Sequence, residues 1–292
     1  MTTRTDRQDR PPLSRRTVLA ASAVGLCSAA GLGAWLLRDD QTAAPTSTAP
    51  SPPLSTSPSA VRPVEPMVVT RLTSAARGRE VDLIVMRPRD VPGELPVCLA
   101  LHGRGASARM FADLGVPSML TAAVAAGVPP FAVAAVDGDT YWVAANPADD
   151  PQRMLDQEVP GWLAAQGLRP EPAAVMGISM GAYGALNYAR THPVAAAAIS
   201  PALFGSWPDA RSRGVFADRA QWEATEPLRH TADLTAAKVG VWCGNADPFA
   251  PVARQLIKDL RPAAAVMAPG AHDVDYWIRV LPEVLRFVGS HV

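Results

Sequence analysis

Residues 173–186, AAVMGISMGAYGAL, decide the fold. Ala173–Met176 is a short apolar run, Gly177-Ile178-Ser179-Met180-Gly181 matches G-x-S-x-G, and a helical pattern follows. Strand, sharp turn and helix in that order make a nucleophile elbow, a strained turn that lifts a serine above the end of a sheet. Small residues on both sides let the backbone pack closely while Ser179 Oγ projects outward. Gly181, Gly184 and Ala185 keep the following helix slim where it crosses the sheet. The stretch predicts a buried, mostly parallel sheet with Ser179 as its nucleophile.

Working outward, the flanking sequence repeats the same alternation. Residues 67–74 (MVVTRLTS) and 79–86 (REVDLIVM) are β-rich and joined by a turn containing Gly78, which predicts an opening hairpin. Further apolar runs lie at 95–101, 131–136, 195–199, 239–242 and 263–267. Their hydrophobicity is continuous rather than alternating, as strands buried on both faces require. Helical patterns separate them. Residues 149–165 place Met154, Leu155, Val159, Trp162 and Leu163 on one side of a helix, with Gly167 as its cap. Trp277, Val280, Leu281, Val284, Leu285 and Val288 recur at helical spacing, in a helix that Pro282 is expected to kink or split. The class is α/β, with helices on both faces of the sheet.

A serine hydroxyl is a poor nucleophile near neutral pH, so it needs a base, and the base needs an orienting carboxylate. Behind a nucleophile elbow the chain order is serine, acid, histidine, each after a strand. His272 follows the last strand, in a loop leading to the final helix, and is the expected base. His192 sits at a helix end, His230 in an irregular insert and His291 in the tail. Asp247, in the turn after the penultimate strand, is the expected acid; Asp273 and Asp275 lie too close to the base in sequence to reach its ring well. The oxyanion hole needs backbone N–H donors, expected from Met180 and, in the loop His102-Gly103-Arg104-Gly105, from Arg104.

Together the runs LHGRGAS, GISMGAYGAL, ISPALF, CGNADPF and PGAHDVDYWIRVLPEVLRFV resemble the Putative esterase (esterase D-like) branch of the α/β-hydrolases. That branch includes carbohydrate esterases, small ester hydrolases and secreted actinobacterial mycolyltransferases. The resemblance covers residues 67–290 and implies an α/β-hydrolase fold with nucleophile, acid and base at Ser179, Asp247 and His272. It also implies a substrate-facing loop at 137–142. Asp137, Tyr141 and Trp142, with His102, are therefore candidate substrate contacts. Ala182 stands where the family commonly has glycine after the elbow, which leaves the chemistry intact. The insert 203–237 carries Phe204, Trp207, Phe216 and Trp222. It reads equally as a small cap binding an apolar group or as scaffold packing; Phe204 and Trp207 join the candidate contacts on the first reading.

The chain has 292 residues, with 27 basic and 27 acidic groups. Zero net charge gives no footprint for nucleic acid. No metal or other cofactor is expected. Cys98 and Cys243 read as buried apolar residues without a disulfide between them. Nearly all basic residues are arginine, and Ala and Pro abound, which fits a GC-rich bacterial genome. Five arginines against two aspartates make residues 1–16 net +3. Ser14-Arg15-Arg16-Thr17-Val18-Leu19 then reads as a twin-arginine export signal, with an uncharged run from Thr17 to Leu37. Those 21 residues make roughly 30 Å of helix, enough for a membrane tether if the segment is retained. Residues 41–66 hold seven Pro, five Ser and four Thr and read as a linker.

The expected organisation is thus a signal or anchor (1–40), a linker (41–66) and a catalytic domain (67–292). It would lie outside the cytoplasmic membrane, secreted or tethered, and act on a small-molecule, glycolipid or carbohydrate ester. The expected activity is that of a serine esterase. An acyltransferase passing the acyl group to a sugar or lipid hydroxyl is the alternative. A catalytically inert surface-binding relative is the third.

Overall fold

The molecule, a computed structural model, is described over residues 66–235 and 238–292. The expected signal, and the linker up to its last residue, lie outside the described residues. The opening hairpin forms from β1 (Met67–Ser74) and β2 (Arg79–Met86). The apolar runs become β3 (Val97–Leu101), β4 (Ala132–Val136), β5 (Ala174–Ile178), β6 (Ala195–Ile199), β7 (Val239–Gly244) and β8 (Ala264–Ala268). They make one eight-stranded sheet in the order β1-β2-β4-β3-β5-β6-β7-β8. The pairings of β1 with β2 and β2 with β4 are antiparallel, and those from β4 onward are parallel.

Nine α-helices cover the sheet among the described residues: α1 (Met110–Asp113), α2 (Val116–Ala125), α3 (Pro151–Gln157), α4 (Val159–Ala165), α5 (Met180–Thr191), α6 (Trp207–Arg211), α7 (Arg219–Thr225), α8 (Ala250–Leu260) and α9 (Val274–Gly289). In β3, Val97, Leu99 and Leu101 point into the core beneath α3–α5, while Cys98 and Ala100 point into the core beneath α2 and α9. That two-sided burial is why the strands carry no polar alternation.

Two helical expectations are corrected. The helix expected over 149–165 is two helices meeting at Glu158, whose φ is stretched to −111°. Pro160 has no N–H for the preceding turn and crowds the residue before it, so the chain breaks there. Conversely, Pro282 does not split the last helix, which runs unbroken from Val274 to Gly289. Ile278 and Pro282 lie on its exposed side, where water can take the carbonyl that the proline leaves without a donor. The opposite side buries Tyr276, Val280, Leu281, Val284, Leu285 and Val288. Burying each such side chain stabilises by about 1.5–3 kcal/mol, which outweighs one lost helical bond. Cys98 and Cys243 are both buried free thiols.

Candidate active site

β5 runs directly into Ser179, whose φ of 58° and ψ of −117° place it in a strained, left-handed turn before α5. The flanking glycines are there for space. A Cβ on Gly177 would overlap the Gly181 carbonyl, and one on Gly181 would overlap the Leu101 carbonyl. The Ser179 N–H donates to Ile199 O at 2.9 Å, tying the elbow to β6. Gly103 is so close that a Cβ there would lie 3.5 Å from Ser179 Cβ, so the loop after β3 rests on the elbow. The N–H groups of Met180 and Arg104 flank this contact, and neither has an acceptor among the described residues.

Asp247 and His272 come from the loops after β7 and β8. Those loops are laced together: Asn245 N–H donates to Ala268 O at 2.7 Å and Ala246 N–H to Gly270 O at 2.9 Å. The result is a continuous polar chain. His272 Nδ1 lies 2.8 Å from Asp247 Oδ2, and His272 Nε2 lies 2.9 Å from Ser179 Oγ. The Asp247 side chain is wholly buried. Burial acts to raise its pKa. The hydrogen bond from His272, aided by the Phe249 N–H at 2.8 Å and by Ser200, outweighs it and holds the carboxyl below its ordinary range. The imidazole sits between two rings, with Phe249 and Trp277 centroids at 5.3 and 5.4 Å. Trp277 Nε1 donates to Ser200 Oγ at 3.1 Å. Asp273 caps α9 by accepting from Tyr276 N–H, so it is occupied elsewhere. His192 stacks on Tyr188 and meets Asp156, and His230 bonds the Glu223 carbonyl, both outside this group.

A cleft of about 350 Å³ opens over Ser179 and His272, walled by the 103–106 loop, Met110, Tyr141, Arg213, Phe249 and Trp277. Of the candidate substrate contacts, Tyr141 faces it. The others lie in the surrounding scaffold. His102 is buried; its Nε2 accepts from Gly138 N–H at 2.9 Å, so its Nδ1 donates to Gly103 O at 2.8 Å. Burial lowers its pKa, which keeps this neutral tautomer. Asp137 staples two backbones together, accepting from Asp82 N–H at 3.0 Å and Ala108 N–H at 2.8 Å. Trp142 is fully buried, its indole against Gly138 and Gly184 and its Nε1 donating to His102 O. Phe204 is buried among Tyr141, Tyr183 and Phe216, and Trp207 packs on Trp222. The insert's aromatics therefore pack on the scaffold, the second of its two readings, and the insert residue that lines the cleft is Arg213. Among the described residues no cluster of His, Cys, Asp and Glu suits a metal ion, and no helix is long and apolar enough to cross a membrane.

Sequence reasoning passed over Ser200 and Arg213. The signal for Ser200 was its place one residue beyond β6, at the same sheet end as the elbow; Arg213 left no signal among the several arginines of its insert.

The family model described as Putative esterase matches residues 74–288. The diacylglycerol acyltransferase/mycolyltransferase Ag85A of Mycobacterium tuberculosis is 33% identical over 120 residues, covering 33% of this chain and 35% of the relative. The chain thus matches about a third of the length of the curated relatives. Among solved structures, a ferulic acid esterase superposes with a TM-score of 0.64 at 20% identity, covering 77% of this chain and 97% of that one. MPT51 (FbpC1) of M. tuberculosis gives 0.62 at 20%, covering 78% and 100%. At these identities the superpositions speak to fold alone: an α/β-hydrolase.

Proposed function

This chain belongs to the Putative esterase family, and we propose that it is an exported serine esterase with Ser179, His272 and Asp247 as its catalytic triad. One observation carries the reading: the unbroken Ser179–His272–Asp247 chain, at 2.9 and 2.8 Å, beside an open cleft. Ser179 Oγ attacks the ester carbonyl while His272 Nε2 takes its proton. Asp247 orients the ring and stabilises the imidazolium. The N–H groups of Met180 and Arg104 receive the developing oxyanion. The imidazolium then protonates the departing alcohol, leaving the acyl group on Ser179. Water, activated by the same histidine, releases the acid. The substrate is a small-molecule, carbohydrate or glycolipid ester.

Ser179→Ala tests this directly. It should abolish covalent labelling by a fluorophosphonate probe and reduce ester turnover by at least 10³-fold. Labelling that persists in the variant would sink the assignment, and an unlabelled wild type would favour an inert surface-binding protein.

A second reading is favoured by the Ag85A similarity: the acyl-enzyme is released to a sugar or lipid hydroxyl instead of water. Both readings share the triad and differ in what reaches the acyl group. Product analysis with a labelled acyl donor, with and without sugar acceptors, separates them. The site of action proposed is the outer side of the cytoplasmic membrane. The support is the Arg15-Arg16 signal and the proline-rich spacer, with residues 17–37 as tether if the signal is retained.

A further inference from the structure

The cleft over Ser179 is walled by two cations, Arg104 and Arg213, and no carboxylate. Among the described residues neither guanidinium forms an ion pair. Arg213 is the more constrained of the two. Its Cζ lies 5.5 Å from the Phe204 ring centroid and 5.3 Å from that of Phe249, so two aromatic faces hold the group in place. Its Nε is buried and donates to nothing. That nitrogen is closed to solvent, so the donors open to a ligand are those of the two terminal nitrogens, which bond to nothing among the described residues. Phe249 also packs on the base His272 at 5.3 Å, so the guanidinium sits one ring away from the reacting atoms. A guanidinium presents its donors in a planar fork that matches a carboxylate bidentately.

We propose that Arg213, supported by Arg104 at the mouth, makes this cleft selective for esters that carry a carboxylate. The inference rests on the esterase reading and names the substrate class of that same site. The carboxylate takes the terminal N–H donors of Arg213, and the ester carbonyl is thereby brought to Ser179.

The test compares matched pairs differing only in charge. On the acyl side the pair is 4-nitrophenyl hemisuccinate and 4-nitrophenyl succinamate. On the alcohol side it is 4-carboxyphenyl butyrate and 4-carbamoylphenyl butyrate. The wild-type enzyme should prefer the anionic member by at least tenfold in kcat/KM on one side, mostly through KM. Arg213→Gln should cut that preference ratio by at least tenfold, and Arg213→Lys should restore part of it. Arg211→Gln, an exposed charge on the same insert but outside the cleft, should leave the ratio within twofold. No wild-type preference on either side overturns the proposal. So does a ratio unchanged in Arg213→Gln, or one lost equally in Arg211→Gln. Failure of the esterase reading looks different: neither member of either pair turns over and the fluorophosphonate probe does not react. In that case succinate binding to the wild type, measured by calorimetry, must weaken in Arg213→Gln, or the cation site falls as well.

Discussion

At the scale of single residues, the triad owes its geometry to a fourth side chain. Ser200 is fully buried just beyond β6, with a φ of 48° and its N–H donating to Trp242 O at 2.7 Å. Its hydroxyl accepts from Trp277 Nε1 and helps to hold Asp247 ionised, so one oxygen couples the acid to the ring that flanks the base. Ser200→Ala leaves the indole N–H without its acceptor and Asp247 with one donor fewer. Losing such a bond costs about 1–1.5 kcal/mol, so kcat should fall roughly tenfold at nearly constant KM in steady-state assays; an unchanged kcat would remove Ser200 from the network. Ser179, Asp247 and His272 were legible because each stands at the end of a recognisable strand. Trp142 was not. The family resemblance implied a substrate-facing role for its loop, yet its indole fills the space that Gly184 leaves open on α5. The clue lay 42 residues away, in the missing side chain of a helix.

At the scale of elements, the insert between β6 and β7 is fastened by Glu226. This fully buried carboxylate accepts from Phe204 N–H and Trp222 Nε1 at 3.1 Å and from Leu228 N–H at 3.3 Å, joining the start of the insert to its end. Burial raises its pKa to about 7, although the three donors and Arg229 pull the other way. The unfolded chain holds that proton less tightly, with a pKa of about 4.3. Stability from this group is therefore full below about pH 4 and is lost, by about 4 kcal/mol in all, as pH rises through the folded value to about 8. In calorimetric melts from pH 5 to 8, the Tm advantage of wild type over Glu226→Gln should shrink as pH rises. A constant difference contradicts the assignment. The strands were legible because two-sided burial writes itself as unbroken apolar runs. The junction at Glu158 and the intact α9 were not, because the effect of a proline depends on which face of the helix meets water.

At the scale of the whole molecule, zero net charge averages unlike parts. The first 16 residues carry +3, and residues 41–292 carry 21 basic against 23 acidic groups. The export reading assigns that positive arm to translocation and the remainder to chemistry. Replacing Arg15 and Arg16 together by lysine keeps the charge and removes the paired guanidiniums. The variant should accumulate in the cytoplasmic fraction, while the purified protein keeps the wild-type kcat/KM. Normal export of the double variant, followed by fractionation and immunoblotting, would reject the twin-arginine route.

The turn that delivers Tyr141 to the cleft has a consequence of its own. Thr140, Tyr141 and Trp142 have φ values of 50°, 57° and 57°, three consecutive left-handed residues without a glycine. Each such residue costs on the order of 1–3 kcal/mol, and Trp142, sealed in the core, holds the turn against that cost. Tyr141 is thus set in place when the polypeptide folds, not when an ester arrives. The wall of the cleft is preorganised, and association loses no conformational entropy to arrange it.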